Sequence, residues 1–558
     1  WSADLFARAK KEKKFVLLDL EAVWCHWCHV MDEKTYANPK VVALMKSKYI
    51  AVRVDQDSRP DLSNRYEDYG WPATIVFNGD GGEIVKRRGY IPPEEMISML
   101  EAIIKDPTPG PSVEPPKKIE FSGGTTLSGD LRKELRDKLT SNYDSKMGGW
   151  GTGGQKFLEW DSVEYCMALA MSGDYKAERM ARQTLAAQTK LIDPIWGGVY
   201  QYSTDGDWEH PHFEKIMQFQ GENLRIFAAA FCLWSDTTHL QAAEDIHRFL
   251  KDFLTSPEGA FYTSMDADIV PGRHSSEYFN LSDAQRRKRG IPRIDKHVYS
   301  RENGWAITGL AALYGAIGGE PTFQEATRAA DWIIANRGLP GGGFGHDASD
   351  AGGPYLGDTL QMGRAFLALY SVTGNRKWID LAEKAAAFVD GKFKDKAGYA
   401  TAVQSGSHRP EPQLDENVQL ARFTNLLFHY TGKKNYRGMA EHAMRYLATP
   451  QIARSRNFYV AGILLADSEI SSEPAHITVV GRKDDPLAAV LFSTAAGHPS
   501  AYKRIEWWDR REGPLPRDDV KYPTLKVAAA FICANNSCSP PVFRVDDLQK
   551  KIDKTLRR

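Results

Sequence analysis

The chain has 558 residues, 72 Lys and Arg against 72 Asp and Glu, and a formal net charge of zero. That length exceeds what one hydrophobic core supports and calls for several domains. A neutral chain without a dense basic run excludes nucleic acid as the expected partner, and no apolar stretch approaches the ~18 residues of a membrane span, so a soluble chain is predicted.

Residues 1–105 alternate like a small α/β unit. Ala3–Lys11 has a helical pattern, and Phe15–Leu20 is an apolar run of strand length. Trp24-Cys25-His26-Trp27-Cys28-His29 follows and opens a helix through Val30, Met31 and Lys34. A helix over Lys40–Lys48 leads to a strand over Tyr49–Asp55, and Trp71-Pro72 precedes a strand over Ala73–Phe77. The turn Asn78–Gly82, a strand over Glu83–Arg88 and a helix over Pro93–Lys105 close the unit. Residues 106–127 read as a linker, with Pro107, Pro109, Pro111, Pro115, Pro116, Gly123 and Gly124.

From 128 to 470 the helical patterns come in pairs. They are Gly129–Asn142 with Ser162–Met171, Tyr175–Lys190 with Phe213–Leu233, and Leu240–Thr255 with Gly304–Ala316. Phe323–Asn336 with Asp358–Val372, Trp378–Phe393 with Gln413–Tyr430, and Tyr436–Leu447 with Tyr459–Ser468 complete six. A small-residue turn followed by an aromatic recurs after alternate helices: Gly148-Gly149-Trp150, Gly197-Gly198-Val199-Tyr200, Gly259-Ala260-Phe261-Tyr262, Gly342-Gly343-Phe344 and Ala397-Gly398-Tyr399. A ~50-residue repeat of helical hairpins predicts an all-α (α/α)6 toroid whose inner helices surround a cavity, with an open solenoid as the competing arrangement. Residues 471–558 change again: the strand His476–Gly481, the helix Pro486–Ala496 and strands over Tyr502–Trp508 and Val527–Cys533 predict a small α/β appendage. The fold class is thus multidomain.

Six cysteines in this length form no disulfide scaffold. Cys166 and Cys232 lie in apolar helical patterns and read as buried filler, while Cys533 and Cys538 are close enough for a structural disulfide, a second redox pair, or neither. Cys25 and Cys28 carry the strongest signal. A C-x-x-C pair leaving a strand and opening a helix puts the first sulfur among unpaired backbone N–H groups, which favour thiolate, and the second one turn away, able to resolve a mixed disulfide. His26 between them is expected to favour the Cys25 thiolate. Two other chemistries fit the same letters. Cys25-His26-Trp27-Cys28-His29 also satisfies the C-x-x-C-H attachment signature of haem c, and a bare C-x-x-C pair is half of a zinc site, to which His26 and His29 add nitrogen ligands. The preceding strand and the later Pro72 favour the dithiol, so no metal and no cofactor beyond the Cys25–Cys28 pair is expected.

In the helical region the densest polar cluster is Trp208-Glu209-His210-Pro211-His212-Phe213-Glu214-Lys215. Gln155-Lys156-Phe157, Asp266-Ala267-Asp268, Arg301-Glu302-Asn303, Gly357-Asp358 and Asp415-Glu416-Asn417 also precede predicted inner helices. Singly each reads as a cap or surface group. Together they predict a cavity mouth to which Gln155, Lys156, His210, His212, Glu214, Asp266, Asp268, Asn303, Asp358, Asp415 and Asn417 contribute.

These segments together resemble the spermatogenesis-associated protein 20 family, in which a thioredoxin-like domain is fused to an N-acylglucosamine-2-epimerase-like helical barrel. The resemblance covers essentially the whole chain and rests on Cys25–Met31, Val54–Asp61, Gly70-Trp71-Pro72, Gln155-Lys156-Phe157, Pro211–Lys215, Asp266-Ala267-Asp268 and the tail from Cys533 to Cys538 with Pro540. It implies a thioredoxin-like redox domain, a cis peptide before Pro72 facing the sulfurs, and a six-hairpin barrel of sugar-enzyme ancestry. Two stretches depart from the family: Gln218-Phe219-Gln220 replaces a tyrosine-aspartate pair, and Asp415-Glu416-Asn417 replaces Ser-Gly-Asn.

The expected activity is thiol–disulfide exchange, with Cys25 as nucleophile, Cys28 resolving, His26 tuning and Pro72 shaping the substrate groove. The expected partner is a protein thiol or disulfide, and the barrel is expected to recognise that partner or a saccharide-like ligand. The alternatives are a sugar epimerase or isomerase that uses His212, Glu214, Asp266 and Asp268, and a non-catalytic binding protein. A removed export signal ahead of Trp1 would put the protein outside the cytoplasm; otherwise it would be cytoplasmic.

Overall fold

The computed structural model of the protein describes residues 1–115, 118–350, 352–403, 409–534 and 537–556. Pro116 of the linker, and Asn535 and Asn536 between the last two cysteines, lie outside the described residues.

The N-terminal unit runs α1 Leu5–Glu12, β1 Phe15–Glu21, α2 His26–Met31, α3 Pro39–Lys48, β2 Tyr49–Asp55, α4 Pro60–Tyr66, β3 Ala73–Phe77, β4 Glu83–Arg88 and α5 Pro93–Lys105. The sheet order is β2-β1-β3-β4, with β1 parallel to β2 and antiparallel to β3. β1 is the central strand, and its five inner residues are buried because both faces are covered. One face carries Val16, Leu18 and Leu20 against α1 and α4, and the other carries Leu17 against Val41, Met96 and Leu100. This is a thioredoxin-like unit, and four residues separate the end of its central strand from the start of α2.

The helical domain alternates outer and inner helices, outer α6 Gly129–Ser141, inner α7 Trp160–Met171, outer α8 Tyr175–Gln188 and inner α9 Met217–Trp234, and α7 packs most on α8, the outer helix that follows it. After α10 Thr237–Phe249 come the short α11 Ser276–Phe279 and α12 Asp283–Arg289, then the inner α13 Ser300–Ile317. The series continues with α14 Glu320–Arg337, α15 Leu356–Thr373, α16 Arg376–Phe393, α17 Leu414–Thr431, α18 Lys434–Leu447, the short α19 Pro450–Ala453, and α20 Ala461–Ile470. The inner helices pack in the cycle α7, α9, α13, α15, α17, α20 and back to α7. That last contact closes the ring, so the domain is a toroid and not an open solenoid. Burial follows position. Outer α16 buries Trp378, Ile379, Ala382, Ala385, Ala386, Val389 and Phe393 on one stripe, whereas inner α15 is buried almost all round.

The glycine-aromatic loops each form a one-bridge hairpin after an outer helix: Tyr143 with Trp150, Ile192 with Val199, Thr255 with Phe261, Gly338 with Phe344 and Lys394 with Tyr399. Their turns approach the next repeat closely. A Cβ on Gly197, whose φ is +72°, would lie 2.0 Å from the Asp245 carbonyl oxygen, which explains glycine there. One boundary differs from the sequence reading. Short strands β5 Tyr202–Ser203, β6 Pro211–His212, β7 Lys215–Ile216, β8 Ser264–Met265 and β9 Ile294–Asp295 lie between α8 and α13, and α9 starts at Met217 and not at Phe213 because β7 pairs with β8. Tertiary pairing there overrides a helical pattern.

Beyond the ring, β10 Ala475–Val480, α21 Pro486–Ala496, β11 Lys503–Trp508, β12 Ala529–Ala534, β13 Ser537–Cys538 and α22 Val545–Leu556 form a sheet in the order β11-β10-β12-β13. α21 and β11 pack on α13, α15 and α17, and the Ile505 N–H donates to the Tyr430 hydroxyl over 2.9 Å. The appendage therefore covers the far end of the barrel, at the C-terminal ends of its inner helices. Cys533 and Cys538 pair across β12 and β13 as a disulfide. Cys166 is buried, and Cys232 is partly exposed. Among the described residues no helix is long and apolar enough to cross a membrane.

Candidate active site

Cys25 caps the N-terminus of α2, and its Sγ accepts the Cys28 N–H at 3.2 Å. The two cysteines are joined, with their Cα atoms 5.3 Å apart. The same N–H also donates to the Cys25 carbonyl at 3.1 Å, and a helix-start N–H directed at the sulfur stabilises the thiolate once the pair is reduced. The Trp71–Pro72 peptide is cis, and Pro72 follows Trp71, which packs on the cysteine cluster.

The sulfurs do not face solvent. Cys25 is 4% exposed and Cys28 2%, because the barrel lies over them. Ile216 and Phe219 from the start of α9 join Trp24 and Trp71 around the pair. The polar half of the junction is more specific. Asp268 accepts from His26 Nδ1 at 2.8 Å and from His29 Nδ1 at 3.1 Å. The Ala267 N–H donates to the Trp24 carbonyl at 3.2 Å, and the His26 N–H reaches Glu214 Oε1 at 3.4 Å. Both C-x-x-C histidines are therefore bound by one barrel carboxylate. His26 Nδ1 is engaged by Asp268 across the junction, which makes the imidazole a tether as well as a neighbour of Cys25.

His29 meets an acceptor at each nitrogen, with the Val23 carbonyl at 3.2 Å from Nε2, so both nitrogens carry protons. Burial pulls its pKa down, but Asp268 and then Asp266 outweigh burial and leave it raised. Burial pushes Asp266 up to about 7, with His29 opposing. Asp268 is lowered: burial would raise it, and the hydrogen bonds from His26 and His29 prevail. The signs define a pH window. Below the ordinary carboxylate value of 3.8 the junction loses the Asp268 charge. Above it, Asp266 binds a proton when docked that it releases when undocked, and beyond 6.5 the same holds for His29, so both effects weaken docking as pH rises. Glu214, His26, His212 and His274 face the same cluster. Docking is expected to be tightest near pH 4 and to loosen from there through pH 8, first through Asp266 and above 6.5 through His29 as well. Amide exchange of residues 23–30, corrected for intrinsic rates, checks this; protection that grows from pH 6 to 8 would contradict it.

Two further seams hold the domains together. The Asp57 carbonyl accepts from His346 Nε2 at 2.6 Å, and Asp358 holds His346 Nδ1 at 2.9 Å. His346 is raised to about 9 because Asp358 outweighs burial. Asn64 donates to Thr401 at 2.6 Å, and Glu67 accepts from Gln413 at 2.9 Å and pairs with Arg456. The thioredoxin-like unit thus sits as a lid on the N-terminal ends of the inner helices. Beneath it is a cavity of about 240 Å³ lined by Trp24, Asp57, Trp71, Phe219, Arg301, Glu302, Trp305, Gln361, Asp415, Glu416 and Gln419, among others. Gln361 and Gln419 bond each other, and Arg364 bonds both, at the lumen side of this cavity. Arg364 also lines a second cavity at the appendage end.

The mouth residues expected from the sequence divide into several groups. Glu214, Asp266 and Asp268 converge on the cysteine helix and not on the lumen. His212 stacks on Tyr202, 3.8 Å from Glu214 at the edge of that cluster. Asp415 lines the cavity and pairs with Arg456 at 3.2 Å. Asp358 serves His346. The others are structural or peripheral. Asn303 brackets the backbone of Phe261, with its Oδ1 accepting at 2.8 Å and its Nδ2 donating at 3.0 Å, and Asn417 does the same to Tyr399 at 2.8 and 2.9 Å. Gln220 repeats the device on Val199. These inner-helix amides pin the glycine-aromatic loops. Lys156 is buried against Asp144 at 2.9 Å and the Gly151 carbonyl at 2.6 Å. Gln155 is exposed, and His210 lies on an exposed turn against Asp207.

Asp57, His29, His346, Trp305, Gln361 and Gln419 were not predicted as site residues. A carboxylate in Asp55-Gln56-Asp57 just after a buried strand was a usable signal, and so were Gln361/Arg364 and Gln419/Arg422, which repeat a three-residue spacing on successive inner helices. Three described clusters bring their ligand atoms within 4.8 Å, as a cation would require: His29–Asp266–Asp268, Asp19–Glu21–Asp32 and Asp55–Asp57–Asp295. In the first, the imidazole already bonds Asp268 and neighbours Asp266; in the second, Arg53 pairs with all three carboxylates.

A family model described as Thioredox_DsbH, protein of unknown function, DUF255, matches residues 1–105. Human spermatogenesis-associated protein 20 is 24% identical over 467 residues, covering 76% of this chain and 54% of its own. The chain is similar to the spermatogenesis-associated protein 20 proteins of human, mouse and rat. It spans about half the length of the curated relatives it matches. Residues of the thiol:disulfide interchange protein DsbD 2 of Pseudomonas aeruginosa are 34% identical over 85 positions, 15% of this chain and 14% of that one. Among solved structures, cellobiose 2-epimerase from Spirochaeta thermophila covers 61% of this chain and 97% of its own at 13% identity, with a TM-score of 0.47. The two stretches that depart from the family meet at the cavity: Gln218, Phe219, Asp415 and Glu416 all line it.

Proposed function

We propose that the protein is a thiol–disulfide oxidoreductase whose dithiol works beneath a helical barrel. The observation that carries this reading is the Cys25–Cys28 pair at the start of α2, with the Cys25 sulfur accepting the Cys28 N–H, in a thioredoxin-like unit. Cys25 as thiolate attacks a substrate disulfide, and Cys28 then attacks Cys25 Sγ to release the second thiol. His26, Asp268 and His29 hold the helix start against the barrel as positioning residues, and Pro72 shapes the wall beside the sulfurs. The substrate is a thiol or disulfide admitted at the domain junction.

Equilibration against mixtures of reduced and oxidised dithiothreitol, read by mass shift after alkylation, tests it. A reversible two-electron transition that disappears in Cys25→Ser is expected. A pair that stays locked in one state across the whole range would refute the reading.

A second reading is favoured by one observation: the mouth cavity presents Trp24, Trp71 and Trp305 beside Glu302, Glu416, Gln361 and Gln419, a mixture of rings and hydrogen-bonding groups suited to a saccharide-like ligand. His212, Glu214, Asp266 and Asp268 do not line that cavity. Calorimetric titration with mono- and disaccharides, before and after Glu302→Gln, separates this reading from the first.

A further inference from the structure

The mouth cavity and the buried dithiol share a wall. Trp24, Trp71, Ile216 and Phe219 line the cavity and also belong to the cluster packed on Cys25 and Cys28. The sulfurs lie just behind these four side chains, and no broad groove exposes them, since Cys25 is 4% exposed. A protein substrate needs an open surface to lay its chain along. A cavity of about 240 Å³ has room for about eight waters, which is the bulk of a very small molecule.

The lining sets the chemistry of that molecule. Five carboxylates line the cavity, Asp57, Glu67, Glu302, Asp415 and Glu416, against one guanidinium, Arg301. Arg301 is already committed, donating to Glu302 Oε1 at 2.6 Å and lying 5.0 Å from the centre of the Trp305 ring. The second oxygens of Glu302 and Glu416 are buried and have no hydrogen-bond partner among the described residues. Glu302 is 2% exposed and Glu416 8%. Two unpartnered acceptors in a closed space are costly to leave unmade, and a ligand that brings N–H donors and positive charge satisfies them.

We infer that the substrate is a low-molecular-weight disulfide of an aminothiol, held in the mouth cavity by its ammonium group on Glu302 and Glu416, with its sulfur reaching Cys25 past Trp71 and Phe219. The inference rests on the oxidoreductase reading and narrows it to a substrate class. In the reduced protein the Cys25 thiolate forms a bond to one ligand sulfur, and the ligand S–S bond breaks. The departing aminothiolate takes up a proton. Cys28 gives up its proton and attacks Cys25 Sγ, forming the Cys25–Cys28 disulfide and releasing the second aminothiol. The ligand gains two electrons and the dithiol loses two; dithiothreitol returns them for the next turnover.

The test follows oxidation of the stoichiometrically reduced protein by three probes of similar reactivity and different charge: cystamine, 2-hydroxyethyl disulfide and glutathione disulfide. Each rate is divided by that of free dithiothreitol with the same probe. Cystamine is expected to exceed both others by tenfold or more, and the advantage over 2-hydroxyethyl disulfide is expected to shrink at least fivefold in Glu302→Gln and Glu416→Gln. On the unaltered protein, 1,3-diaminopropane is expected to slow the cystamine reaction saturably, a readout that does not depend on either variant folding. Normalised rates equal for all three probes, or no effect of the diamine, would overturn the inference while leaving the dithiothreitol titration, and with it the oxidoreductase reading, intact. Failure of that titration would remove the broader reading first.

Discussion

Replacing Asp268 with alanine is expected to unlatch the two domains. Asp268 is the one carboxylate bonded to both C-x-x-C histidines, and its side chain is 1% exposed. Removing one partner of a buried charged pair costs about 3–5 kcal/mol, because the group left behind has lost its water as well as its counter-charge. His29 can shed its proton once the carboxylate is gone, so the lower end, about 3 kcal/mol, is expected. That corresponds to about two decades in the population of the undocked state. Alkylation of reduced Cys25 that proceeds through undocking should accelerate by a similar factor. The exposed pair Lys10–Asp80 is the control: its side chains are 71% and 72% exposed, and Asp80→Ala should leave both readouts unchanged. Equal Cys25 reactivity in Asp268→Ala and the parent would show that this contact does not hold the lid.

The second large effect lies behind the junction. Asp193 is fully buried between Lys215, at 2.8 Å, and Arg286, at 2.6 Å, and neither cation has solvent to turn to. Lys215 also donates to the Gly197 carbonyl at 2.7 Å, and Arg286 to that of Phe279. Burial pulls Lys215 down to about 8, while Asp193 is lowered to about 2, because Lys215 and Arg286 outweigh its own burial. The triad ties three segments: the glycine turn at Gly197, the strand that follows Glu214, and the loop after Asp268 that carries Phe279 and Arg286. Asp193→Ala leaves two buried cations uncompensated and should cost about 3–5 kcal/mol in denaturant unfolding. Lys215→Met in the same background should recover part of that loss, since an apolar chain of similar length needs no partner. A loss below about 1 kcal/mol for Asp193→Ala would contradict this role.

Lys215 shows how far sequence reasoning reached. Its segment stood out as a polar cluster before a long helix and suggested a cavity mouth, yet the lysine is a buried strut. The same holds for Lys156, Asn303 and Asn417. Each is a polar residue in the first turn of an inner helix or just before one, and each is consumed by backbone or counter-charge. Sequence spacing located the mouth of the toroid because the loops recur with the helices. It could not separate side chains that point at the lumen from those that point at the neighbouring loop, since that depends on a rotation within one turn of helix.

The domain junction was illegible for a different reason. Asp268 lies 242 residues from His26, and the pairing arises only because the lid docks on one particular edge of the ring. Nothing local to Cys25–His29 signals a carboxylate partner in another domain. The dithiol itself was legible because its determinants are local: a buried strand, a C-x-x-C pair and a helix that begins at the first sulfur. The six hairpins were legible from periodicity and made a closed toroid the expectation over an open solenoid, although the contact that closes the ring, α20 on α7, joins the two ends of the domain and has no local signal.

The most direct test of the central claim is capture at the first cysteine. In Cys28→Ser the attacking sulfur remains and the resolving one is gone, so a disulfide substrate that reaches the site should stay bound to Cys25. Incubating the reduced full-length variant with disulfide probes and reading intact mass should give one adduct per chain, mapped to Cys25, reversed by dithiothreitol and absent when Cys25 is also replaced by serine. A variant that forms no Cys25 adduct, or forms adducts equally at Cys166 or Cys232, would contradict a working dithiol beneath the barrel.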